Sequence, residues 1–180
     1  MTQSARTMTI IPCEPRRHAA QILAIFNEAI VNSTAIYDYK IRTAEMMEAW
    51  FETKAKGSFP VMGVENDSGE LMGFASFGPF RAWPAYKYSV EHSVYVDARY
   101  RGRGVGRRLL EAVIEAARER DYHVLIGAID ATNKASCALH ERLGFTHCGT
   151  IHQAGFKFGR WLDLSFYQMI LNTPLQPIDG

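Results

Sequence analysis

The sequence predicts an α/β fold in which a mixed central sheet of about seven strands carries helices on both faces. Residues 93–110 run from an alternating strand through a glycine-rich turn into a helix. Residues 59–77 hold two apolar runs separated by a polar turn, which is typical of a hairpin. Residues 123–129 are almost continuously apolar, as in a strand buried on both faces, and a helical pattern over 133–143 follows them. A chain of 180 residues without repeats or linker-like segments predicts a single domain over residues 1–180.

Two helices are predicted in the first third of the chain, after a short strand at Thr9–Cys13. The first helix opens at Pro15, where apolar side chains begin to recur every three or four residues. Apolar and charged residues alternate over residues 37–41, which indicates a short extended segment. Thr43 is a good N-cap for the second helix, and Gly57 marks its end.

The later elements are a strand at 89–96, an amphipathic helix at 105–120, and strands at 145–151 and 161–171. A loop rich in aromatic residues and prolines, residues 78–88, precedes the first of these strands. A glycine-containing loop is predicted at 153–159. The termini, residues 1–8 and 172–180, are predicted to be loose.

Composition and charge exclude several classes of protein. The chain has 180 residues, of which 47% are hydrophobic, and its formal net charge is +1. That balance gives no electrostatic reason to bind nucleic acid or an anionic membrane. No apolar run approaches the roughly 20 residues that cross a bilayer. The three cysteines, an odd number without a close pair, favour free thiols in a reducing compartment. We therefore expect a cytoplasmic protein that binds neither nucleic acid nor membrane.

Residues 101–108 combine glycines with arginines at the start of a predicted helix. The glycines at 102, 104 and 106 allow a tight turn and a close approach of the backbone to a ligand. The unpaired N–H groups of a helix start, together with the positive end of the helix dipole, form an anion site. The surrounding arginines are Arg101, Arg103, Arg107 and Arg108. The segment therefore predicts a phosphate or pyrophosphate cradle; an ordinary solvated turn is the alternative.

The same residues exclude two nucleotide-binding motifs. A Walker A loop requires lysine and a hydroxyl residue after its last glycine, where Arg107 and Arg108 stand, and the dinucleotide fingerprint requires glycine at 107. The pattern Arg101-x-x-Gly104-x-Gly106 instead resembles the coenzyme A pyrophosphate loop of the GNAT superfamily of N-acetyltransferases. The order of predicted elements is similar to the GNAT fold over nearly the whole chain.

The resemblance implies a coenzyme site and no metal. The sheet would splay between strands 89–96 and 124–129, and acetyl-CoA would enter the gap. Pantetheine would lie along the backbone of Val94, Tyr95 and Val96. The pyrophosphate would lie on Gly102, Arg103, Gly104, Val105, Gly106 and Arg107. Asn133 corresponds to an asparagine that contacts the coenzyme arm, and simple helix capping is its alternative role.

Acetylation of an amine needs the neutral amine, so a base near the reacting end assists the reaction. Glu91 lies on the strand that enters the predicted gap and is the predicted base, acting directly or through water; a structural ion pair is the alternative. His92 is predicted to orient or bind the substrate. Because neighbouring strand residues face opposite sides, only one of the two faces the substrate unless a bulge intervenes. The resemblance implies that bulges are common on this strand.

His140 stands where the family often places a tyrosine that protonates the leaving thiolate. The resemblance therefore makes His140 a candidate acid, and pocket lining is the alternative. Cys137 lies one turn earlier. Since the resemblance implies direct transfer, Cys137 is expected to be a small buried residue and not a nucleophile.

A narrower resemblance joins several segments. They are Ser76–Gly78, Val90–Val96, Leu139–Glu141, Leu143–Phe145 and Lys157–Asp163. In this order they resemble the phosphinothricin and methionine sulfoximine N-acetyltransferases. The resemblance implies acetylation of the α-amine of a small amino acid or analogue, such as methionine sulfoximine, methionine sulfone or phosphinothricin. Such an activity is of the herbicide- or antibiotic-resistance type. The implied substrate contacts are Ala82, Trp83, Pro84, Glu91, His92 and Ser93.

The aromatic loop contains apolar and cationic side chains that suit such a substrate. Trp83 and Phe80 can wall an apolar side chain, and Arg81 or Lys87 can meet a carboxylate or phosphinate. Packing of the loop alone is the alternative. The resemblance also implies a homodimer in which residues 155–161 lie near the partner's site.

Two other functions stay open. One is a GNAT enzyme for another amine, namely a protein N-terminus, a polyamine or an antibiotic. The other is a coenzyme A-binding module without catalysis. The bulky loop at 79–88 favours a small, closed site, and the presence of Glu91 favours catalysis.

Overall fold

The structure, a computed structural model, describes residues 8–179. They contain one seven-stranded sheet with the strand order β1-β2-β3-β4-β5-β7-β6. The strands are β1 (Thr9–Pro12), β2 (Val61–Glu65), β3 (Leu71–Pro79), β4 (Ser89–Val96), β5 (Val124–Asp130), β6 (Thr146–Lys157) and β7 (Arg160–Ile170). The helices are α1 (Pro15–Asn32), α2 (Ala44–Lys56), α3 (Val105–Glu119) and α4 (Lys134–Arg142). The predicted mixed α/β sheet of seven strands is confirmed.

Each face of the sheet carries a separate apolar core. On one face, α1 and α2 bury Ile22, Phe26 and Met47 against Phe74 of β3. On the other face, the apolar stripe of α3 packs against β2, β3 and β4, and its Leu109 is fully buried. Burial of each such side chain contributes about 1.5–3 kcal/mol. Helices therefore cover both faces, as predicted.

The sheet opens between its two central strands. β4 and β5 are parallel, whereas every other neighbouring pair is antiparallel. Their pairing begins at Ser89 with Val124 and ends at Glu91 with Ile126. β4 nevertheless continues for five residues to Val96. Since a parallel sheet binds ligands at the carboxyl ends of its strands, this gap is the natural place for a site.

One local prediction about the chain is wrong. Residues 153–159 are not a loop, because β6 continues to Lys157 and joins β7 through a tight turn at Phe158 and Gly159. Both turn residues have positive φ, 52° and 73°, as a type I′ hairpin requires. Two register shifts, at His147/Gly149 and Ile151/Gly155, interrupt the alternation of side chains and so conceal the strand. Residues 37–41, where a short extended segment is predicted, belong to none of the strands.

Both terminal segments are predicted to be loose. The predicted loose N-terminus falls almost wholly outside the described residues. Residues 171–179 contain no helix or strand. The Thr173 hydroxyl nevertheless donates to the Tyr122 carbonyl at 2.5 Å, and the Tyr88 hydroxyl donates to the Ile178 carbonyl at 3.4 Å. Within residues 8–179, none of the helices has the length and apolarity that a bilayer crossing needs.

Candidate active site

A groove follows β4 from the opening in the sheet to the glycine-rich turn. Its first part is a cavity of about 340 Å³, here called the Glu91 pocket, which β4, β5, α4 and residues 34–37 surround. The middle part shares Val94, Tyr95, Asn133 and His140 with this pocket. The last part lies at the glycine-rich turn and shares Val96, Arg101, Gly106 and Leu139 with the middle part. The shared residues make the three parts one continuous path.

The glycine-rich turn presents free backbone donors. Gly104 is the N-cap of α3 and has a φ of 85°, a left-handed conformation that glycine adopts without strain. The first backbone bond across the turn runs from Arg108 N–H to Gly104 C=O. The N–H groups of residues 105–107 therefore precede the helical ladder. A Cβ placed on Gly102 or Gly104 meets no protein atom within 4 Å, so both glycines border open space.

The four arginines near the turn are not equivalent. Arg101 and Arg107 line the groove. Arg101 donates to the Val96 carbonyl at 3.1 Å and pairs with Glu28 at 2.6 Å. Arg108 instead donates to the carbonyl of Met8, and Arg103 lies over the Tyr100 ring. Two of the four guanidinium groups therefore border the groove.

A polar network that sequence reasoning missed supports the turn from behind. The buried Tyr100 donates its hydroxyl to Glu70 at 2.5 Å, and Arg99 bridges Glu70 and Asp97. The Asp97 carboxylate also accepts from the Arg99 N–H at 2.9 Å. These contacts join Glu70, the residue before β3, to the residues just before the turn. No local pattern predicts them, because Glu70 and Tyr100 lie 30 positions apart in the chain.

These features fit the predicted acetyl-CoA. Residues 93–96 pair with β3 on one side only, so their main-chain groups on the β5 side are available to an extended amide chain. The backbone donors of residues 105–107 at a helix N-terminus suit a pyrophosphate. The Asn133 side chain accepts from Ser136 N–H at 3.1 Å, so its capping role is present while it also lines the groove.

Glu91 is the last residue of β4 that pairs with β5. Its side chain is half-buried and lines the Glu91 pocket. Among residues 8–179, none forms an ion pair with this carboxylate. Burial raises the pKa of Glu91 above its ordinary value, and the positive charge of Arg81 partly opposes this. The carboxylate is thus a stronger base than an exposed glutamate.

β4 contains no bulge against β3. Its register runs without interruption from Val90 opposite Pro79 to Val96 opposite Gly73. Glu91 and His92 consequently project to opposite faces of the sheet. Both border the Glu91 pocket, because the pocket lies in the gap beside the strand.

His92 and His140 form a stacked, buried pair. Their Nε2 atoms are 3.2 Å apart and their rings are nearly parallel, at 13°. His140 Nδ1 lies 2.8 Å from the Ser136 carbonyl, so this nitrogen carries the proton and donates. His92 then donates from Nε2 to His140, which leaves the buried His92 Nδ1 without a partner in the described chain. A Cβ on Gly127 of β5 would lie 2.9 Å from the His92 ring, so this glycine makes room for the pair.

The pair is uncharged at neutral pH. Burial and the neighbouring His140 lower the pKa of His92 to about 3. Burial also lowers the pKa of His140, and its bond to the Ser136 carbonyl offsets part of this effect. The two rings therefore form a neutral wall of the pocket.

The neutral pair predicts a loss of stability in acid. The pKa of His92 is about 3 in the folded protein and about 6.5 in an unfolded chain. Between these pH values the unfolded state binds more protons, so stability is lost as pH falls below about 6.5, by at most about 1.4 kcal/mol per pH unit. We expect denaturant titrations to show this slope in the wild type and a smaller slope in His92→Gln. Equal slopes in the two proteins would contradict the buried neutral state.

Three predicted substrate residues lie outside the Glu91 pocket. Ala82, Trp83 and Pro84 line a separate cavity of about 200 Å³ under the aromatic loop, and Trp83 is 74% exposed. Arg81 borders the same cavity. The predicted residues that do line the Glu91 pocket are Glu91, His92, Ser93, Val94, Tyr95, Asn133 and His140.

Sequence reasoning missed one wall of the pocket. Residues 34–37, which follow α1 without regular structure, line the pocket, as does Asp130 at the end of β5. Only tertiary packing brings this segment to the site. Within residues 8–179, no cluster of three histidine, cysteine, aspartate or glutamate side chains is placed to hold a metal ion.

Comparisons with known proteins agree with this geometry. The profile of the acetyltransferase (GNAT) family matches residues 22–145. The L-methionine sulfoximine/L-methionine sulfone acetyltransferase of Pseudomonas aeruginosa is 45% identical over 151 residues, which cover 84% of this chain and 88% of that protein. The predicted resemblance to such enzymes is thereby confirmed.

Two solved structures share the fold. The phosphinothricin acetyltransferase of Sinorhizobium meliloti in complex with acetyl-CoA is 29% identical, with a TM-score of 0.90 over 95% of this chain and 92% of that chain. The ribosomal-protein-alanine N-acetyltransferase of Brucella melitensis is 45% identical, with a TM-score of 0.88 over 91% of this chain and 99% of that chain. The splayed sheet, the glycine-rich turn and the family match lead to one conclusion: the chain belongs to the GNAT family and is an acetyl-CoA-dependent N-acetyltransferase.

Proposed function

We propose that this enzyme acetylates the α-amine of a small amino acid or analogue, of the methionine sulfoximine, methionine sulfone or phosphinothricin type. The observation that carries the proposal is Glu91: a half-buried carboxylate with a raised pKa and no ion pair among the described residues, beside a pocket of about 340 Å³. Such a volume is at the small end for ligand sites and suits an amino acid. The sequence similarity to a methionine sulfoximine acetyltransferase supports the same substrate class.

The proposed coenzyme contacts follow the groove. The backbone of Val94, Tyr95 and Val96 would hold pantetheine, and Asn133 would meet the coenzyme arm. The pyrophosphate would lie on residues 102–107, with Arg101 as a further neighbour. Exposed ion pairs such as Arg107 with Glu111 are worth at most about 1 kcal/mol, so this guanidinium can exchange its partner for a phosphate at little cost.

Glu91 is the proposed base. Bound acetyl-CoA supplies a thioester carbonyl as the acetyl donor. The substrate amine arrives mostly protonated, since primary amines have a pKa near ~10. Glu91 would accept one proton, directly or through one water, and so deliver the neutral nucleophile to the thioester carbonyl. As the C–N bond forms, the C–S bond breaks, and the coenzyme leaves as a thiol that takes up the second proton lost from the amine.

His92 and His140 have a different proposed role. Both rings are neutral, and each holds the other through the Nε2 contact of 3.2 Å. Protonation of the departing thiolate by His140 would require a charged ring, which burial disfavours. We therefore favour the second of the two roles that the sequence left open for His140, which is lining the pocket. His92 would orient the substrate together with Ser93.

The loop contacts stay a prediction. Ala82, Trp83 and Pro84 are proposed to meet the substrate side chain, although they border a neighbouring cavity. Arg81 is the loop cation whose charge acts on Glu91, which favours it over Lys87 as the partner of a substrate carboxylate or phosphinate.

We propose a homodimer in a reducing, cytoplasmic setting. Phe156, Phe158 and Trp161 are exposed near the β6–β7 turn, and aromatic residues of this kind are enriched at interfaces. Cys13, Cys137 and Cys148 are all free thiols. A resistance role would follow if the physiological acceptor is a toxic analogue.

An acceptor panel tests the proposal. We expect acetyl-CoA to be consumed with methionine sulfoximine, methionine sulfone or phosphinothricin at a kcat/KM at least about tenfold above that for an alanine-first peptide, because a pocket of about amino-acid size has little room for a peptide chain. Spermidine and an aminoglycoside serve as the polyamine and antibiotic arms. A peptide preferred to all the amino-acid analogues would replace the proposal with protein N-terminal acetylation.

A further inference from the structure

One wall of the Glu91 pocket is formed by residues 34–37 and has no regular secondary structure. Residues 34–37 follow the end of α1, and all four line the pocket. A helix fixes its residues through its own hydrogen-bond ladder, whereas an irregular segment depends on contacts from elsewhere. The position of this wall, and hence the shape of the pocket, must be set by what packs behind it.

A buried lysine holds this segment from behind. Lys157, at the end of β6, is buried, with only 4% of its surface exposed. Its ammonium donates to the carbonyls of Ile30 at 2.7 Å, Ser33 at 2.9 Å and Ile36 at 2.6 Å. An ammonium has three donors, so all of them are used. No carboxylate within residues 8–179 forms a salt bridge with Lys157.

The site of the ammonium is electrostatically suited to a cation. Ile30 and Ser33 lie at the C-terminal end of α1, where the last carbonyls lack helical partners and the helix dipole is negative. The Lys157 ammonium therefore binds carbonyl groups both at the end of α1 and, at Ile36, in the irregular segment. Hydrogen bonds to charged groups are stronger than neutral ones.

Two further contacts come from the same hairpin tip, residues 155–157. The Tyr39 hydroxyl donates to the Phe156 carbonyl at 2.6 Å. A Cβ on Gly155 would lie 2.7 Å from the Tyr37 ring, so the absence of a side chain at 155 leaves the space that this ring occupies. The hairpin tip thus contacts the segment after α1 at three separate points.

We infer that Lys157 is a positioning residue for the acceptor: with Gly155 it fixes the wall formed by residues 34–37 and so sets how tightly the acceptor amine is bound. The inference rests on the proposed acceptor pocket. Lys157 and Gly155 do not line the part of the groove at the glycine-rich turn. The segment itself borders the middle part of the groove through Ser33 and Ala35. Loss of the hairpin-tip contacts should therefore weaken acceptor binding more than coenzyme binding and leave the glycine-rich turn unchanged.

Lys157→Met tests this, because methionine keeps an unbranched apolar stem and removes the ammonium. We expect the KM for methionine sulfoximine to rise by about tenfold, as loss of a charged hydrogen-bond set implies. The Kd of acetyl-CoA is expected to stay within about twofold. Lys56→Met, which removes an exposed lysine at the end of α2, is the matched control and should leave both constants unchanged.

Amide hydrogen exchange supplies a readout that needs no turnover. Lys157→Met should accelerate exchange of residues 33–37 and leave residues 102–107 as in the wild type. Unchanged exchange at 33–37 would overturn the inference, and so would an equal loss of acetyl-CoA affinity, which would make Lys157 a general structural residue. A wild type without turnover would instead count against the proposed function, so the two failures are distinct.

Gly155→Ala decides the matter if Lys157→Met does not fold. Its added methyl group must displace the Tyr37 ring, which lines the pocket, while every other contact of the hairpin tip stays. We expect the acceptor KM to rise by about three- to tenfold with the Kd of acetyl-CoA unchanged. A folded Gly155→Ala enzyme with the wild-type acceptor KM and wild-type exchange at 33–37 would overturn the inference.

Discussion

Replacing Glu91 by glutamine is expected to lower kcat/KM for the acceptor by about 100- to 10,000-fold, the usual contribution of a general base. Glutamine keeps the shape of the side chain and removes only its ability to accept a proton. Since Glu91 lies in its own pocket, away from the glycine-rich turn, the Kd of acetyl-CoA should change by no more than about twofold.

The pH profile gives the same prediction a second readout. Burial raises the pKa of Glu91, so the acidic limb of the wild-type kcat/KM profile should lie above the ordinary pKa of a glutamate. This limb should disappear in Glu91→Gln. The matched control is Glu52→Gln on the exposed face of α2, which should behave as the wild type. A parallel loss of coenzyme affinity and activity in Glu91→Gln would show that Glu91 supports the structure and not the chemistry.

Replacing Gly104 by valine is expected to raise the Kd of acetyl-CoA by about 100-fold or more, equivalent to about 2.7 kcal/mol. Gly104 has a φ of 85°, where a β-branched residue is strained. A Cβ at this position meets no protein atom within 4 Å, so the new side chain would occupy the open space where the pyrophosphate is proposed to lie. Isothermal titration with acetyl-CoA measures the effect.

Gly159→Val separates backbone strain from the loss of the ligand site. Gly159 has a φ of 73° and open space around its Cβ position, but it lies at the β6–β7 turn, away from the coenzyme end of the groove. Both variants should lose similar thermal stability, and only Gly104→Val should lose coenzyme affinity. Equal affinities for acetyl-CoA in both variants would contradict the placement of the pyrophosphate at the glycine-rich turn.

The starts of the helices could be predicted from the sequence, because a helix cap depends only on neighbouring residues. Thr43 caps α2 by accepting from the Met46 N–H at 3.4 Å, as its residue type and position indicate. Asn133 caps α4 in the same way, and Gly104 adopts the left-handed conformation that opens α3. In each case one residue and its neighbours within four positions contain the information.

The remainder of the site depends on contacts between distant segments. The wall at 34–37 is held from behind by Lys157, more than 120 positions later in the chain, which binds the carbonyls of Ile30 and Ile36. The pairing of His92 with His140 requires β4, α4 and the space left by Gly127. Arg108 is one of the four arginines expected around the phosphate cradle, yet it donates to the Met8 carbonyl. The sequence pattern alone does not show which distant residues these side chains contact.

Register shifts in β6 explain why residues 153–159 are predicted to be a loop although β6 continues to Lys157. The extra residues in β6 break the alternation at Gly149 and Gly155, so a strand of twelve residues resembles a short strand followed by a loop. The consequence is functional, because the hidden half of β6 carries Lys157 and Gly155. A bulged strand and a polar loop have the same composition, and only the partner strand β7 distinguishes them.

The most direct test of the central claim is thiol release on mixing the wild-type enzyme with acetyl-CoA and methionine sulfoximine, followed by mass spectrometry of the products. We predict one free thiol for each acetyl group found on the α-amine, with no acetylated protein when acetyl-CoA is added alone, as direct transfer requires. Absence of thiol release with every amino-acid analogue, or acetyl transfer to the protein before the acceptor is added, would contradict the proposed reaction.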